Sequence, residues 1–230
     1  MTLEQILGRL EEMGSTANVE GMARYGIRPE QVLGVPIADL RKLARELGRG
    51  HELALELWES GIHEARLLAA LIAEPRRVDS GLMERWAASF DNWALCDTTC
   101  GSLFRKAAPA WEQAREWCGR DEMYVKRAGY AMIAWLAVHD KQTPDSTFTK
   151  LFPLIRSGSR DERPLVRKAV NWALRQIGKR NVSLNARAIE LAVRLAENGD
   201  ANTRRVANRA LRELTGSKVQ QRLAAAEGRG

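Results

Sequence analysis

The chain has 230 residues, enough to bury a substantial core as one domain or as one continuous array of repeats. Hydrophobic residues make up 45% of the sequence and charged residues 28%, a balance that excludes general disorder. Lys and Arg number 36 against 29 Asp and Glu, and the resulting net charge of +7 favours an acidic partner such as nucleic acid.

Apolar residues recur at helical spacing through almost the whole chain, and no segment shows the two-residue alternation of a strand. Gly, Pro, Asp and Ser gather between the periodic segments, as expected of helix ends and turns. We therefore predict an all-α protein with helices, in chain order, over residues 3–13, 37–48, 51–61, 64–74, 81–90, 110–118, 124–138, 145–155, 164–178, 184–198 and 203–216.

Two features bear on the cellular location of the protein. The longest apolar run, residues 130–138, is much shorter than the roughly 20 residues that cross a bilayer. The first segment, MTLEQILGRLEEM, is acidic and amphipathic, whereas a signal peptide has a basic start and an apolar middle. We expect no membrane partner and a cytoplasmic location.

The cysteines and histidines give no metal-site pattern. An odd number of cysteines suits a reducing compartment rather than a disulfide framework. The histidines show no metal-ligand spacing, so we expect no metal and interpret the cysteines as packed small side chains. These residues are Cys96, Cys100 and Cys118, and His51, His63 and His139.

A sequence repeat underlies the helices. RKAVNWALR at 167–175 matches RRVANRALR at 204–212 in register, and KRAGYAMIA at 126–134 fits the same template. A period near 40 residues with two helices per unit is typical of HEAT-type solenoids. We predict one such domain over residues 1–215, followed by a basic C-terminal tail over 216–230.

One basic position recurs in this alignment, occupied by Arg66, Arg127, Lys168 and Arg205. The interval between the first two is double, and Asp97 lies about halfway through it. A curved stack of such units would line its concave face with cations, and that face suits a phosphate backbone.

Trp93 and Asp97 lie four residues apart in the stretch DNWALCD. If that stretch is helical, the two side chains share one face, one turn apart. Trp172 lies between Lys168 and Arg175 in the basic helix VRKAVNWALRQIGKR. Aromatic faces beside a lone carboxylate can hold and stabilise a cationic substrate.

Five stretches, in chain order, carry a family resemblance: MARYG at 22–26, VLGVPIADLRKLAREL at 32–47, the W-x-x-x-D of Trp93 and Asp97, VKRA at 125–128, and RKAVNWALR at 167–175. Together they resemble the AlkD-type alkylpurine DNA glycosylases, a DNA alkylation repair family built from HEAT-like repeats. The resemblance implies a monomer that hydrolyses the N-glycosidic bond of cationic alkylated purines, such as 3-methyladenine and 7-methylguanine, in double-stranded DNA. It also implies cleavage without base flipping, and the chemistry needs no cofactor.

The resemblance implies roles for individual residues. Asp97 is the central catalytic residue, Trp93 and Trp172 frame the damaged nucleotide, Tyr25 borders the site, and Arg127 holds a nearby phosphate. The basic helix and the recurring basic position add further candidate DNA contacts, namely Lys168, Arg175, Arg66 and Arg205.

Departures from the family pattern leave alternatives open. Asn92 stands where an aromatic residue can occur in the family, and Ala94 where a polar residue can, so we expect a less aromatic site with a narrower lesion range. One alternative function is a non-catalytic HEAT-like module that binds damaged or branched DNA. Another is a protein–protein scaffold, as many HEAT arrays are. The lesion preference and the acceptance of bulky adducts stay open.

Overall fold

The structure is a computed structural model that describes residues 1–228, and within that range every regular element is a helix. The all-α prediction is therefore confirmed. The last two residues of the predicted tail, 229 and 230, lie outside the described residues. No described helix combines the length and the apolar character that crossing a membrane requires.

The first compact unit comprises Met1–Ala110. Within it, α3, α5 and α7 pack in series, and α4 packs on α5. Short 3₁₀ turns follow α5 and α7. The elements are α1 Leu3–Glu12, α2 Thr16–Arg24, α3 Ile37–Leu47, α4 His51–Glu59, α5 His63–Ile72, a 3₁₀ turn Pro75–Arg77, α6 Ser80–Ala88, α7 Trp93–Ser102 and a 3₁₀ turn Phe104–Lys106.

The second compact unit comprises Trp111–Gly230. Here α9, α12 and α14 pack in series, and α13 lies against both α12 and α14. The elements are α8 Ala110–Trp117, α9 Met123–His139, α10 Asp145–Thr149, α11 Phe152–Gly158, α12 Pro164–Gly178, α13 Val182–Asn198, α14 Ala201–Leu214 and α15 Ser217–Glu227.

Three elements differ from the predicted helices, and α7 lies over a stretch for which the sequence analysis gave a helix only as a condition. The predicted helix over 145–155 is two helices, because Pro153 has no backbone N–H to continue the ladder from α10 and must lie in a first turn. Helix α2 was not predicted, since none of its residues is buried and its apolar pattern is correspondingly weak. Most of the predicted tail forms α15.

The helix starts agree with the recurring position found in the sequence. Arg127, Lys168 and Arg205 are each the fifth residue of their helices, α9, α12 and α14. Arg66 is the fourth residue of α5, a difference within the usual scatter of helix ends. Asp97 is the fifth residue of α7. One helix therefore carries a carboxylate where the related helices carry a cation.

Small residues allow close helix contacts in the second unit. A Cβ on Gly129 in α9 would lie 2.7 Å from the backbone N of Cys118, just after α8. That distance is well inside van der Waals contact, so the two backbones must move apart to accept a methyl group. Gly8 in α1 is the opposite case, since a Cβ there meets nothing within 4 Å.

We expect Gly129→Ala to destabilise the protein. Overpacking typically costs about 1–3 kcal/mol, more than the roughly 0.5–1 kcal/mol gained by replacing a helical glycine. The matched control, Gly8→Ala, gains only the second term and should be stabilising. Urea unfolding of both variants measures the difference, and equal free energies of unfolding would contradict the close contact between α8 and α9.

Candidate functional site

Asn92 caps the N-terminus of helix α7. Its backbone is extended, and its Oδ1 accepts a hydrogen bond from the Leu95 N–H at 2.9 Å, which caps the helix. The helix that follows places Trp93 and Asp97 on one face, one turn apart, as predicted for a helical DNWALCD stretch. Both side chains are partly exposed. A ligand can therefore approach the indole and the carboxylate together.

Tyr25 and Trp93 lie together in the first unit. The Trp93 Nε1–H donates a hydrogen bond to the backbone oxygen of Tyr25 at 3.0 Å, which fixes the indole against the end of α2. The Tyr25 side chain is 76% exposed, an unusual exposure for a large aromatic ring. These two residues border one cavity. The structure thus brings together two of the predicted site residues from distant parts of the sequence.

The cavity between α2, α7 and the segment before α3 has a volume of about 570 Å³. Its lining is mostly apolar, and the few polar side chains include Asn18 and His63. Asp97 is not part of the lining. The apolar and aromatic lining residues are Met22, Tyr25, Ile27, Val35, Pro36, Ile37, Leu67, Trp93 and Ala94.

One wall of this cavity is held by a buried carboxylate. The Glu64 side chain accepts hydrogen bonds from the backbone N–H groups of Leu33 at 2.9 Å and Gly34 at 2.7 Å. Gly34 has a φ of +82°, and a Cβ there would collide with the backbone oxygen of Ser15. Asn18 donates to the Gly34 oxygen at 2.9 Å. The LGVP stretch therefore has a structural role as a fixed wall.

His63 lines the same cavity and is only 1% exposed. Its Nδ1 lies 3.2 Å from the Asn92 Nδ2, and burial lowers the pKa of the ring. Its Nε2 has no hydrogen-bond partner among the described residues. A buried polar atom without a partner is costly, so this atom marks a place where a ligand group would be stabilised.

Arg66 makes contacts within the first unit. Its guanidinium lies 3.6 Å from the Asp91 carboxylate, approaches the backbone oxygens of Trp58 and Ser89 at 3.4 Å, and lies over the Trp58 ring. These contacts tie together the ends of α4 and α6. A DNA contact by Arg66 would have to compete with them and stays a prediction.

In the second unit, Trp172 packs edge-on against Trp135, with ring centroids 5.4 Å apart. Trp135 in turn stacks with His139. The Trp172 side chain is only partly buried. An aromatic cluster thus supports this ring while leaving part of it accessible.

The predicted basic residues of the second unit fall into two groups. Lys168 and Arg205 are exposed and line one small cleft together with Arg167 and Arg209. The other two are engaged: Arg127 is 5% exposed and donates to the Leu165 oxygen at 2.6 Å, and Arg175 forms an ion pair with Glu213. Of these four residues, the first two are exposed, Arg175 is partly buried and Arg127 is buried.

A second basic cleft, which the sequence analysis missed, lies in the first unit. Its volume is about 460 Å³, and five cations and no carboxylate line it. Partial burial and the neighbouring Arg105 and Arg49 lower the pKa of Lys106. The i,i+4 spacing of Arg41 and Arg45 on α3 was the available sequence signal. The cations are Arg41, Arg45, Arg49, Arg105 and Lys106.

Within residues 1–228, no group of three or more His, Cys, Asp and Glu side chains is arranged to hold a metal ion. The three cysteines are buried, and none of them forms a disulfide among the described residues.

Comparison with known proteins defines the class of fold. The structure matches, with a TM-score of 0.82 and 20% identity, a protein described as one of "a new family of proteins related to the HEAT-like repeat DNA glycosylases with affinity for branched DNA structures". The match covers 97% of this chain and 96% of that chain. The fold is thus an all-α HEAT-like repeat fold, as predicted. The curvature and a concave basic face stay predictions.

The family model for the DNA alkylation repair enzymes matches residues 6–214, and the chain belongs to this family. The resemblance found in the sequence is confirmed. The chain is also 24% identical to Uncharacterized protein Lin0241 of Listeria innocua, over 84% of this chain and 85% of that protein. Uncharacterized protein Lmo0209 of Listeria monocytogenes is 24% identical over 58% of this chain and 62% of its own length.

We expect Asn92→Ala to destabilise the first unit more than the loss of a simple helix cap. Losing the cap costs about 1 kcal/mol, and leaving the buried His63 Nδ1 without its donor adds roughly 1–3 kcal/mol. Asp79→Ala is the matched control, because Asp79 caps α6 through the same kind of bond to Leu82. Equal losses in urea unfolding would show that the Asn92–His63 contact contributes nothing.

Proposed function

We propose that this protein is a DNA glycosylase that hydrolyses the N-glycosidic bond of cationic alkylated purines in double-stranded DNA. The observation that carries the proposal is the partly exposed Trp93–Asp97 pair on one face of α7. Asp97 also occupies the helix position where related helices hold Arg127, Lys168 and Arg205. A carboxylate at this position would repel a phosphate, so a role in phosphate binding does not explain it. Its negative charge can instead stabilise positive charge that develops during a reaction.

The chemistry needs little beyond that carboxylate. An N3- or N7-alkylated purine is cationic, so it departs as a neutral base with the electron pair of the bond to the sugar and needs no general acid. Positive charge moves onto the deoxyribose as an oxocarbenium ion. The Asp97 carboxylate stabilises this ion and orients a water molecule for attack on the anomeric carbon.

The remaining site residues are proposed to position the DNA. Trp93 and Trp172 present ring faces to the electron-poor sugar, a contact worth about 0.5–2 kcal/mol if it resembles a cation–π interaction. Tyr25 borders the damaged nucleotide. The exposed Lys168 and Arg205 contact the phosphate backbone, and the counterions released from the DNA contribute to the affinity.

Three arginines are already engaged and would have to adapt to contact DNA. Arg127, which donates to the Leu165 oxygen, would have to rearrange its contacts to hold a phosphate. Arg66 and Arg175 would exchange Asp91 and Glu213 for phosphate. Cleavage without base flipping, the monomeric state and the cytoplasmic location predicted from the sequence belong to this proposal.

We expect Asp97→Asn to lower the release of 7-methylguanine and 3-methyladenine from methylated duplex DNA by about 10²–10³-fold, because a preorganised charge is lost. DNA affinity should persist, since the carboxylate makes no attractive contact with phosphate. Asp39→Asn, which removes an exposed carboxylate paired with Lys42, is the control and should leave release unchanged.

Each outcome of this experiment separates the candidate functions. Release by Asp97→Asn at the rate of the unsubstituted protein would overturn the role of Asp97. Absence of release by the unsubstituted protein, with DNA binding intact, would overturn the glycosylase proposal and favour a binding function.

A second candidate function is binding of branched DNA. The basic cleft that contains Arg41 and Arg45 is lined by Gly101 and Ser102, the last two residues of α7, whereas Trp93 is the first. A ten-residue helix is about 15 Å long, so the basic cleft and Trp93 lie at opposite ends of α7, about 15 Å apart. Two duplex arms meeting at a branch could each contact one of them. The structural relative described above is itself said to have affinity for branched DNA.

For this candidate we expect the double variant Arg41→Gln, Arg45→Gln to weaken binding to a four-way junction. The slope of log K against log salt should fall in magnitude by about 2 for the junction, and remain unchanged for a linear duplex. The control is Arg76→Gln, Arg85→Gln, which removes two exposed arginines outside the cleft. Equal slopes for all three proteins on the junction would contradict the two-region interpretation.

A further inference from the structure

The apolar cavity beside Trp93 is not used by the proposed reaction. A lesion that stays stacked in the duplex needs Asp97 and the aromatic faces, yet Asp97 does not line this cavity. The cavity nevertheless has the dimensions of a ligand site, since small-molecule pockets typically span about 300–1,000 Å³. Its lining is mostly apolar and includes His63, whose buried Nε2 has no hydrogen-bond partner among the described residues.

The hydrogen bonds around Asn92 determine what that atom can do. The Asn92 Oδ1 accepts from the Leu95 N–H, so the group facing His63 is the Nδ2 amide, which can only donate. Nδ1 of His63 must therefore accept. Burial lowers the pKa of the ring and favours its neutral form. The single ring proton then resides on Nε2, which makes this atom a hydrogen-bond donor.

An apolar cavity with a buried donor on one lining residue selects a particular ligand chemistry. A purely aliphatic chain would leave the donor unsatisfied, and a phosphate would have to be desolvated among apolar side chains. A planar heteroaromatic ring with an acceptor atom satisfies both conditions. The Tyr25 and Trp93 rings border the cavity, and such rings stack on planar heterocycles.

We propose that this cavity binds an unstacked nucleobase of the bound DNA, with the His63 Nε2–H donating a hydrogen bond to a ring nitrogen or carbonyl oxygen of the base. The inference rests on the DNA binding in the proposed function and not on glycosylase chemistry. Unpaired nucleotides at a bulge or branch are the natural ligands, because extruding them costs least. The base that enters the cavity is thus distinct from the lesion that is cut.

The test compares two duplexes that each carry a one-nucleotide bulge, one with thymidine and one with a baseless tetrahydrofuran residue. The unsubstituted protein should bind the thymidine bulge about tenfold or more tightly than the baseless bulge. A third bulge carrying 2,4-difluorotoluene, which has the shape of thymine but weak acceptors, should lose a large part of that preference. Binding is measured by fluorescence anisotropy, so no excision is required.

Gly21→Leu provides the variant that fills the cavity. Gly21 lies in α2 and lines the cavity, and a Cβ there meets nothing within 4 Å, so the larger side chain enters open space. The variant should bind both bulges with the affinity of the unsubstituted protein for the baseless one. Gly8→Leu is the matched control in α1, also with open space around its Cβ but outside the cavity, and should keep the preference.

The outcomes separate this inference from the proposed function. Equal binding of the thymidine and baseless bulges by the unsubstituted protein overturns the cavity proposal and leaves the glycosylase proposal standing. A preference that persists in Gly21→Leu also overturns it. If Gly21→Leu abolishes the preference and the unsubstituted protein releases no alkylated base, the cavity proposal is supported and the glycosylase proposal is overturned. Failure to bind any DNA overturns both.

Discussion

The candidate site depends on the buried carboxylate of Glu64. A charge taken out of water is stabilised only if hydrogen bonds replace its solvation, and here the backbone N–H groups of Leu33 and Gly34 do so. These bonds fasten the segment before α3 to the start of α5, over 30 or more residues of sequence. The neighbouring residue on the same helix end, His63, reaches the cavity that this segment walls. The hydrogen bonds of Glu64 therefore fix one wall of the cavity next to His63, a polar residue of its lining.

Asn92 connects that arrangement to helix α7, which carries Trp93 and Asp97. A single amide caps α7, contacts His63 and donates to the Asp91 carboxylate at 2.7 Å. Its presence in place of an aromatic residue looked, in the sequence alone, like the loss of a substrate contact. The structure gives the residue a different function, because its completely buried side chain orients the backbone that carries Trp93 and Asp97. The departure from the family pattern thus bears on how α7 is positioned as well as on how aromatic the site is.

The sequence predicted what depends on local periodicity. Most helices with a buried stripe were found nearly to the residue, whereas α2 buries nothing and was missed. The pairing of Trp93 with Asp97 needed only a helix and was predictable in the same way. The hydrogen-bond donor character of the His63 Nε2 could not be predicted, because it depends on the orientation of the Asn92 amide, 29 residues away. Features of that kind emerge only when the fold brings distant partners together.

The distribution of cations matters more than the net charge of +7. Arg66 and Arg175 are paired with carboxylates, so their attraction for a distant phosphate is largely cancelled. Lys168 and Arg205 form no ion pair with a carboxylate among residues 1–228, and both are exposed. The unpaired cations release counterions on binding, while the paired ones can engage phosphate only after giving up an existing partner. A recurring basic position in a repeat sequence therefore contains residues of two kinds, and their ion-pair partners distinguish the cations that would be available to a phosphate from those that are engaged within the fold.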